Sequence, residues 1–317
     1  MKNILGLLLV LVAFSSSTDA ADKIRIAVGV GNTSILWPLA QKKGFLKDEG
    51  IDAEVIQMLG NLPVLALTNG GLDYNTTLNP VVRGAIQGLP VRVVACFDKG
   101  NQWVLVGRNN FKSVIDLKGK TVAVSNPGTG PDVAGRRIVR HFGLEPDKDV
   151  KFTPGGTDEG RLIRLQQGLV DATLVPVPLD LRARKMGFNI LARAQEIYSY
   201  AGGGLATTTK KIKERPKEIK RVIKAGIKAS RYVKANAEGT IQAYMDWRRT
   251  DRETAATSYE FLSKAINEDG SLPEQGFRLL IEEIRESVKL NREVSFNEVS
   301  DLSILRETQK ELGIKEK

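Results

Sequence analysis

The chain contains 317 residues, of which 42% are hydrophobic and 26% are charged, and this ordinary globular composition excludes a disordered chain. The formal net charge is +10, which makes basic partners unfavourable and favours the attraction of anionic solutes. A single cysteine, Cys96, excludes an intramolecular disulfide, so packing must stabilise the fold, and its apolar surroundings predict a small core residue.

The N-terminal segment has the organisation of a secretory signal. Lys2 precedes an apolar run at residues 4–14, a serine-rich stretch follows, and small residues stand at the two sites that a signal peptidase recognises. This run is too short to span a bilayer, and no later apolar run approaches the required length. We therefore expect a cleaved signal at residues 1–20 and a soluble, monomeric protein in a bacterial periplasm. Because cleavage removes one base and one acid, the net charge stays at +10, and export argues against a nucleic-acid partner.

Two stretches, at residues 67–80 and 165–178, have the same leucine, glycine, aspartate and proline at equivalent positions, at a constant spacing of 98 residues. Each indicates a helix that ends at glycine, a short apolar run with one aspartate, and a polar loop that ends at proline. The matched residues are Leu67, Gly70, Asp73 and Pro80 in the first copy and Leu165, Gly168, Asp171 and Pro178 in the second. A repeat of this length is the size of a small domain, so we expect two similar α/β lobes. The alternative is that any two strand, loop and helix units share this pattern.

The first lobe is expected to alternate strands and helices. The predicted elements are a strand at 24–30, a helix from Ser34 to Lys43, a strand at 51–58, a helix capped by Asn61, a short strand at 72–74 with its exit loop at 75–77, and a strand at 91–97. The first lobe then spans residues 21–100.

The second lobe, residues 101–199, repeats this order. Its predicted elements are strands at 103–107, 121–125 and 149–153, a helix from Pro131 to His141, a helix capped by Thr157, and an apolar run from residue 190. Residues 200–317 are expected to return to the first lobe at 200–204 and to continue as helices.

A helix that begins at Pro216 carries a basic stripe opposite its apolar face. The stripe contains Lys217, Lys220, Arg221, Lys224, Lys228 and Arg231. Such a stripe is either a solvated face or a docking surface for an acidic partner.

The sequence offers little catalytic chemistry. It has one histidine and one cysteine, neither near a recognisable partner motif, and it lacks a Walker loop, a zinc-ligand pair and a nucleophile elbow. His141 lies at a predicted helix end, where a cation complements the helix dipole. We therefore expect no enzyme activity, no catalytic residue, no cofactor and no metal. The rival is a dinucleotide site at Gly29 and Gly31 with Asp52 or Glu54 as the ribose acid, although Ser34 replaces the third glycine.

Polar loops follow several predicted strands and precede helices, where N–H groups and hydroxyls can hold a small ligand. The predicted ligand-binding residues are Gly31, Asn32, Thr33, Ser34, Asn61, Asn75 and Thr76 in the first lobe and Ser125, Thr129, Gly130, Asp132 and Thr157 in the second, with Trp37 and Trp103 as apolar walls. Each is alternatively a plain cap or turn residue. Asp132 either faces an amine on the ligand or complements the helix dipole. None of these loops carries lysine or arginine.

Four segments together resemble the nitrate, sulfonate and taurine family of ABC-transporter solute-binding proteins. They are LWPLAQKKGFLKDEGIDAEV, ALTNGGLDY, DLKGKTVAVSNPGTGPDVAGRR and LQQGLVDATLVPVP, and the resemblance covers most of the mature chain. It implies a type II periplasmic-binding-protein fold, with two Rossmann-like lobes joined by two crossing strands and a helical C-terminal part. It also implies a small-molecule ligand in the cleft, held by the loops at 31–34 and 125–130, and delivery to a membrane permease and its ATPase.

Several functions remain compatible with this resemblance. The predicted function is capture of a small organic anion, with a neutral heterocycle as the alternative because the loops lack basic residues. Fungal relatives make the thiamin pyrimidine with a cysteine-rich motif and iron, and this chain, with Cys96 alone, departs from that pattern. Binding or synthesis of a thiamin-pyrimidine precursor and a role as a periplasmic sensor input are therefore retained as alternatives.

Overall fold

The fold contains two separate five-stranded sheets. The computed structural model describes residues 21–29, 31–58 and 62–315. The predicted signal at 1–20 and the predicted cap Asn61 lie outside the described residues. None of the helices in these described ranges is long and apolar enough to cross a membrane.

The two sheets have the same strand order. The first contains β1 (Asp22–Val28), β2 (Ile51–Gln57), β3 (Tyr74–Thr77), β4 (Val91–Asp98) and β10 (Gly203–Thr208), and the second contains β5 (Trp103–Gly107), β6 (Thr121–Val124), β7 (Lys151–Pro154), β8 (Ala172–Pro176) and β9 (Asn189–Arg193). The orders are β2-β1-β3-β10-β4 and β7-β6-β8-β5-β9. In each sheet four strands run in the same direction, and the strand in the fourth position, β10 or β5, is antiparallel to both of its neighbours. We call the elements around these sheets lobe 1 and lobe 2.

Helices cover both sheets, and those after β10 belong mainly to lobe 1. They are α1 (Leu36–Lys42), α2 (Phe45–Asp48), α3 (Leu62–Thr68), α4 (Leu78–Ile86), α5 (Gly130–His141), α6 (Asp158–Gln166), α7 (Leu179–Lys185), α8 (Ala194–Ile197), α9 (Thr209–Glu214), α10 (Pro216–Ala235), α11 (Ala237–Arg248), α12 (Arg252–Ala265), α13 (Glu274–Ser287), α14 (Phe296–Val299) and α15 (Ser303–Glu311). Two 3₁₀ turns, Asn32–Ile35 and Val114–Leu117, precede α1 and β6.

The repeated aspartate makes the same bonds in both lobes. Asp73 accepts from the backbone N–H of Arg25 at 2.7 Å, and its own N–H donates to the Arg25 carbonyl at 3.0 Å. Asp171 repeats both bonds with Thr121, each at 2.9 Å. Asp73 thus ties β3 to β1, and Asp171 ties β8 to β6. The matched aspartates therefore hold equivalent positions in the two sheets.

The third strand differs from its prediction. The sequence predicts a strand at 72–74 and an exit loop at 75–77, but the strand is Tyr74–Thr77. Asn75 pairs with Ala27 on one side and with Ala206 of β10 on the other. Because β10 comes from a distant part of the chain, the local pattern did not reveal this pairing. Asn75 is consequently fully buried in the sheet.

Helix α10 lies against the first sheet with its apolar face buried. Ile219, Val222, Ile223 and Ile227 are each at most 1% exposed and share one core with Ile26 of β1. Burial of an aliphatic side chain of this size contributes about 1.5–3 kcal/mol. The apolar residues whose spacing predicted this helix are therefore the residues that pack in the core against the first sheet.

Most of the basic stripe on α10 is engaged in intramolecular ion pairs. Lys220 and Lys224 lie 2.6 and 2.9 Å from Glu311 of α15, and Lys228 lies 2.7 Å from Glu49. Arg221 pairs with Asp22 at the start of β1. Four of the six basic residues of the stripe therefore pair with acids from α15 and from the β1 and β2 region, on a face that stays at least partly exposed.

The chain changes sheet twice. It leaves β4 at Asp98 and enters β5 at Trp103, and it returns between Arg193 and Gly203. We call residues 99–102 the first crossing and residues 198–202 the second. Helix α12 lies beside the first crossing, with Leu262 in the core of lobe 1 and Phe261 in a core of lobe 2. The lobes are thus joined by two short connections and one shared helix.

We expect the Asp171→Ala substitution to lower the free energy of unfolding by about 1–3 kcal/mol, because it leaves the Thr121 N–H without its acceptor. Urea denaturation measures the change. Asp52→Ala is the control: Asp52 is exposed on β2, and the change should stay within about 0.5 kcal/mol. Equal losses in the two variants would show that the repeated aspartate does not stabilise its lobe.

Candidate functional site

A cavity of about 400 Å³ lies between the two lobes. One wall is the loop at residues 31–34, which we call the first loop of lobe 1. The other walls come from the ends of β3 and β4, both crossings, the start of α5, and single residues of α12 and α13. This volume is typical of a small-molecule site. The cavity is therefore built from segments that are far apart in the chain and that belong to both lobes.

The structure brings about half of the predicted ligand-binding residues to this cavity. Gly31, Asn32, Thr33, Ser34, Trp37, Thr76 and Gly130 line it, together with the predicted wall Trp103. Asn75, Ser125, Thr129, Asp132 and Thr157 are not among the lining residues. Asn61 lies outside the described residues. As ligand contacts, all of these residues stay predictions.

The predicted residues of lobe 2 away from the cavity make local hydrogen bonds. Ser125 Oγ lies 2.7 Å from Thr129 Oγ1, and Thr157 Oγ1 accepts from the N–H of Gly160 at 3.1 Å as the cap of α6. Asp132 is 3% exposed; it accepts from the Gly128 N–H and from Arg136, each at 2.8 Å. These bonds match the alternative expectation, that of caps and turn residues.

Asn32 connects the two lobes. Its amide nitrogen donates to the carbonyl of Val177 in lobe 2 at 2.8 Å, and its oxygen accepts from the hydroxyl of Tyr244 at 2.6 Å. The side chain is 4% exposed. The amide nitrogen therefore holds the first loop of lobe 1 against lobe 2, and the amide oxygen holds the same loop to α11 in the core of lobe 1.

Asp98 is the most consequential residue that the sequence analysis missed. It ends β4 with its side chain in the cavity wall, where it is 8% exposed and accepts from Thr33 Oγ1 at 2.7 Å and from the Gly100 N–H at 2.9 Å. Burial raises the pKa of this carboxyl to about 7, and the two hydrogen bonds lower it only in part. The available signal was an acid at the end of an apolar strand, directly before a predicted turn.

A second polar group, around Glu283 of α13, was also missed. Glu283 Oε2 accepts from the hydroxyl of Tyr200 at 2.8 Å, and Oε1 lies 3.8 Å from Nε of Arg137 in lobe 2. Burial raises the pKa of Glu283 and of Tyr200. Nearby, Asn101 donates to the hydroxyl of Tyr198 at 3.0 Å, so both crossings present polar groups to the cavity. Glu283 lies in an amphipathic helix and had no local signal.

The structure places the groups of the rival hypotheses elsewhere. Asp52 and Glu54 lie exposed in the first half of β2, opposite Lys23 and Arg25, whereas a ribose-binding acid stands at the carboxyl end of its strand. Cys96 is fully buried in the core, as predicted, and burial raises the pKa of its thiol. Within residues 21–29, 31–58 and 62–315, no three histidine, cysteine, aspartate or glutamate side chains cluster as a metal site requires.

Gly130 and Gly31 give a matched pair of substitutions. A Cβ on Gly130 would lie 2.9 Å from Nε1 of Trp103, whereas a Cβ on Gly31 would meet nothing closer than Gln102 at 3.9 Å. We expect Gly130→Ala to displace the indole and to lower the free energy of unfolding by about 1–3 kcal/mol relative to Gly31→Ala. Urea denaturation with tryptophan fluorescence measures both, and equal stabilities would contradict close packing at Gly130.

The raised pKa of Asp98 predicts a pH-dependent difference between the wild type and Asp98→Asn. The folded protein holds the proton up to about pH 7, whereas the unfolded chain releases it near 3.8, so ionisation opposes folding as pH rises between these values. The amide keeps the acceptor for Gly100 and can donate to Thr33. We expect the variant to gain relative stability from pH 4 to pH 7, by about 1.4 kcal/mol per unit at most, and to gain no more above pH 7. Thermal melts across this range measure it, and a pH-independent difference would contradict the assignment.

Comparison with known proteins places the chain in a family. Residues 34–240 match the family model described as NMT1/THI5 like, which is more than half of the chain. A relative from Bacillus subtilis (strain 168), named "Putative aliphatic sulfonates-binding protein", is 26% identical over 271 residues, which cover 81% of this chain and 80% of the relative.

Solved structures share the fold at lower identity. The periplasmic aliphatic sulphonate binding protein SsuA from Escherichia coli has a TM-score of 0.71 at 19% identity, covering 87% of this chain and 96% of SsuA. The periplasmic nitrate-binding protein NrtA from Synechocystis PCC 6803 has a TM-score of 0.71 at 16% identity, covering 92% and 89% of the two chains. The desulfurization enzyme DSZB also matches, with a TM-score of 0.68 at 13% identity over 92% of this chain and 99% of DSZB. With its two equivalent sheets, its two crossings and its interlobe cavity, the chain has the type II periplasmic-binding-protein fold, and it belongs to the NMT1/THI5-like family.

Proposed function

We propose that this chain is the periplasmic solute-binding component of an ABC importer. After removal of residues 1–20 it captures a small molecule in the interlobe cavity and delivers it to a membrane permease and its ATPase. The observation that carries this proposal is the position of the cavity: both lobes and both crossings line it. A solute held there contacts both lobes at once.

Closure of the lobes follows from this position. A solute that touches both lobes has a higher affinity for the closed form than for the open form, so it shifts the population toward closure. Short crossings at 99–102 and 198–202 provide the connections about which the lobes can rotate. Interlobe contacts already exist in this structure, between Asn32 and Val177 and between Lys185 of α7 and Glu253 of α12. The permease would recognise the closed form.

The family relationship supports binding over catalysis, since the relatives named above are binding proteins. The fold alone does not separate the two roles, because the desulfurization enzyme DSZB shares it. Turnover is therefore an outcome that the test must detect.

The prediction of a small organic anion was based on the net charge of +10 and on the helix termini expected to face the cleft. The names of the sulfonate- and nitrate-binding relatives favour such a solute. The cavity wall opposes it, since it contains two carboxyl groups, Asp98 and Glu283. We therefore limit the proposed function to capture and delivery and consider the class of solute separately.

The test begins with a thermal-shift screen of sulfonates, carboxylates, nitrate and nitrogen bases against the mature protein. Small-angle scattering then compares the empty protein with the protein saturated by each hit, and a compound from the screen that does not bind serves as the control. We expect the radius of gyration to fall with the hit and to stay constant with the control.

Uptake completes this test. Deletion of the gene should abolish uptake of the hit by the cells, and the wild-type gene should restore it. Conversion of the hit into a new compound by the purified protein would overturn the importer role, and so would tight binding with an unchanged radius of gyration.

A further inference from the structure

The charge of the cavity wall is opposite in sign to the charge of the whole chain. The described lining residues include Asp98 and Glu283 and no lysine or arginine, although the chain carries a net charge of +10. Much of the excess charge lies outside the cavity, as in the ion-paired stripe of α10. Local groups, rather than the net charge, decide which ion a desolvated site accepts.

Among the residues that the structure describes, no lysine, arginine or histidine forms an ion pair with Asp98. The groups around its carboxyl come from the first loop, which contributes Thr33, and from the first crossing, which contributes Gly100. Gly202 at the end of the second crossing and Gly203 at the start of β10 also lie beside it. Helix α12 adds only the apolar Phe261 and Ala265 beside Gly100.

The titratable neighbours of Asp98 on its own segment are Cys96, whose thiol is buried and whose pKa is raised, and Lys99, which is exposed. Neither contributes to the pKa of Asp98, which burial and the two hydrogen bonds determine. A buried carboxyl without a cation is costly to ionise, and such groups concentrate at functional sites.

Glu283 supplies a second acceptor that is only partly satisfied. Its Oε1 has no hydrogen-bond partner among the described residues. Nε of Arg137 lies 3.8 Å away, and this guanidinium lies outside the cavity lining and over the ring of Tyr198. The side chain of Glu283 is 15% exposed. Arg137 and the Tyr200 hydroxyl lower the pKa of Glu283, while burial and the adjacent acids Glu282 and Glu286 raise it. Because Oε1 is enclosed by protein, an N–H group in the cavity reaches it only when the Glu283 side chain turns toward the cavity that it lines.

Aromatic side chains form much of the remaining wall. Trp103, Tyr198 and Tyr200 are partly exposed, and the buried Phe97 and Phe261 also line the cavity. Ring faces favour flat ligands, and they attract cations through their negative π-faces. Shape and charge of the wall therefore favour the same kind of molecule.

We propose that the cavity selects a flat organic cation that bears N–H donors, such as an amidinium or an aminopyridinium, bound by Asp98 with a further N–H directed to Glu283. This inference rests on the proposed function, since it names the class of solute that the importer would carry. Such a ligand forms a charge-assisted hydrogen bond with Asp98 and replaces the cation that the fold lacks. A sulfonate or carboxylate would instead have to be desolvated beside two acids.

The first experiment compares probes of equal ring size in thermal-shift assays at pH 7.5. The cations are benzamidinium, benzylammonium and 4-aminopyridinium, and the anions are benzoate and benzenesulfonate. We expect at least one cation to raise the melting temperature in a saturable manner and neither anion to do so. Stabilisation by an anion above that of every cation, or no stabilisation by any cation, would overturn the proposal.

The second experiment measures, by calorimetry, the affinity of the best cation between pH 5.5 and 8.5. Because the bound cation requires ionised Asp98, affinity should rise up to tenfold per unit below pH 7 and level off above it. Asp98→Asn should weaken binding at least tenfold and flatten this profile. Asp269→Asn is the matched control, because Asp269 is a buried acid of lobe 1 outside the cavity lining, and its affinity and profile should equal those of the wild type.

A second cavity variant keeps the proposal testable if Asp98→Asn does not fold. Glu283→Gln keeps the acceptor for Tyr200 and removes the second charge, so it should also weaken cation binding. An affinity that is independent of pH and unchanged in both cavity variants would overturn the proposal.

The class of solute and the importer role can fail separately. An imported anion that closes the lobes would reject the proposed solute and leave the importer role intact. A bound cation that is chemically converted would reject the importer role and leave the solute class intact.

Discussion

A single buried carboxyl, that of Asp98, joins the parts of this protein that define its cavity. It ends the last strand before the chain leaves lobe 1 and accepts hydrogen bonds from Thr33 of the first loop and from Gly100 of the first crossing. Gly202 at the end of the second crossing and Gly203 at the start of β10 pack beside it. Because ionising a buried carboxyl opposes folding, its retention at the junction of both crossings is explained better by a ligand than by stability.

The frame around this carboxyl is built twice from the same parts. Asp73 ties β3 to β1, and Asp171 ties β8 to β6. Gly70 and Gly168 end the preceding helices with positive φ angles of 75° and 72°. Positive φ at these positions favours glycine. The lobes diverge only after β10, where lobe 1 receives the C-terminal helices and the ion-paired face of α10.

Family and fold define the kind of protein, while the cavity wall defines its chemistry. Binding proteins named for sulfonate and nitrate and an enzyme share this frame, so the fold alone assigns neither a solute nor a role. In this chain the wall combines two carboxyl groups with aromatic side chains. The net charge of +10 is a property of the whole chain and is a poor guide to a pocket from which water is excluded.

The sequence by itself determined the features that depend on near neighbours: the alternation of strands and helices, the glycine ends of helices, the repeated aspartate, the apolar face of α10, and the glycine loops that line the cavity. Tertiary structure decided the rest. The true position of β3 depends on pairing with β10, and the environments of Asp98 and Glu283 depend on burial and on hydrogen-bond partners from distant parts of the chain. Local patterns record which residues can form an element, whereas burial and hydrogen-bond partners, which set the charge of the site, exist only after distant segments have packed together.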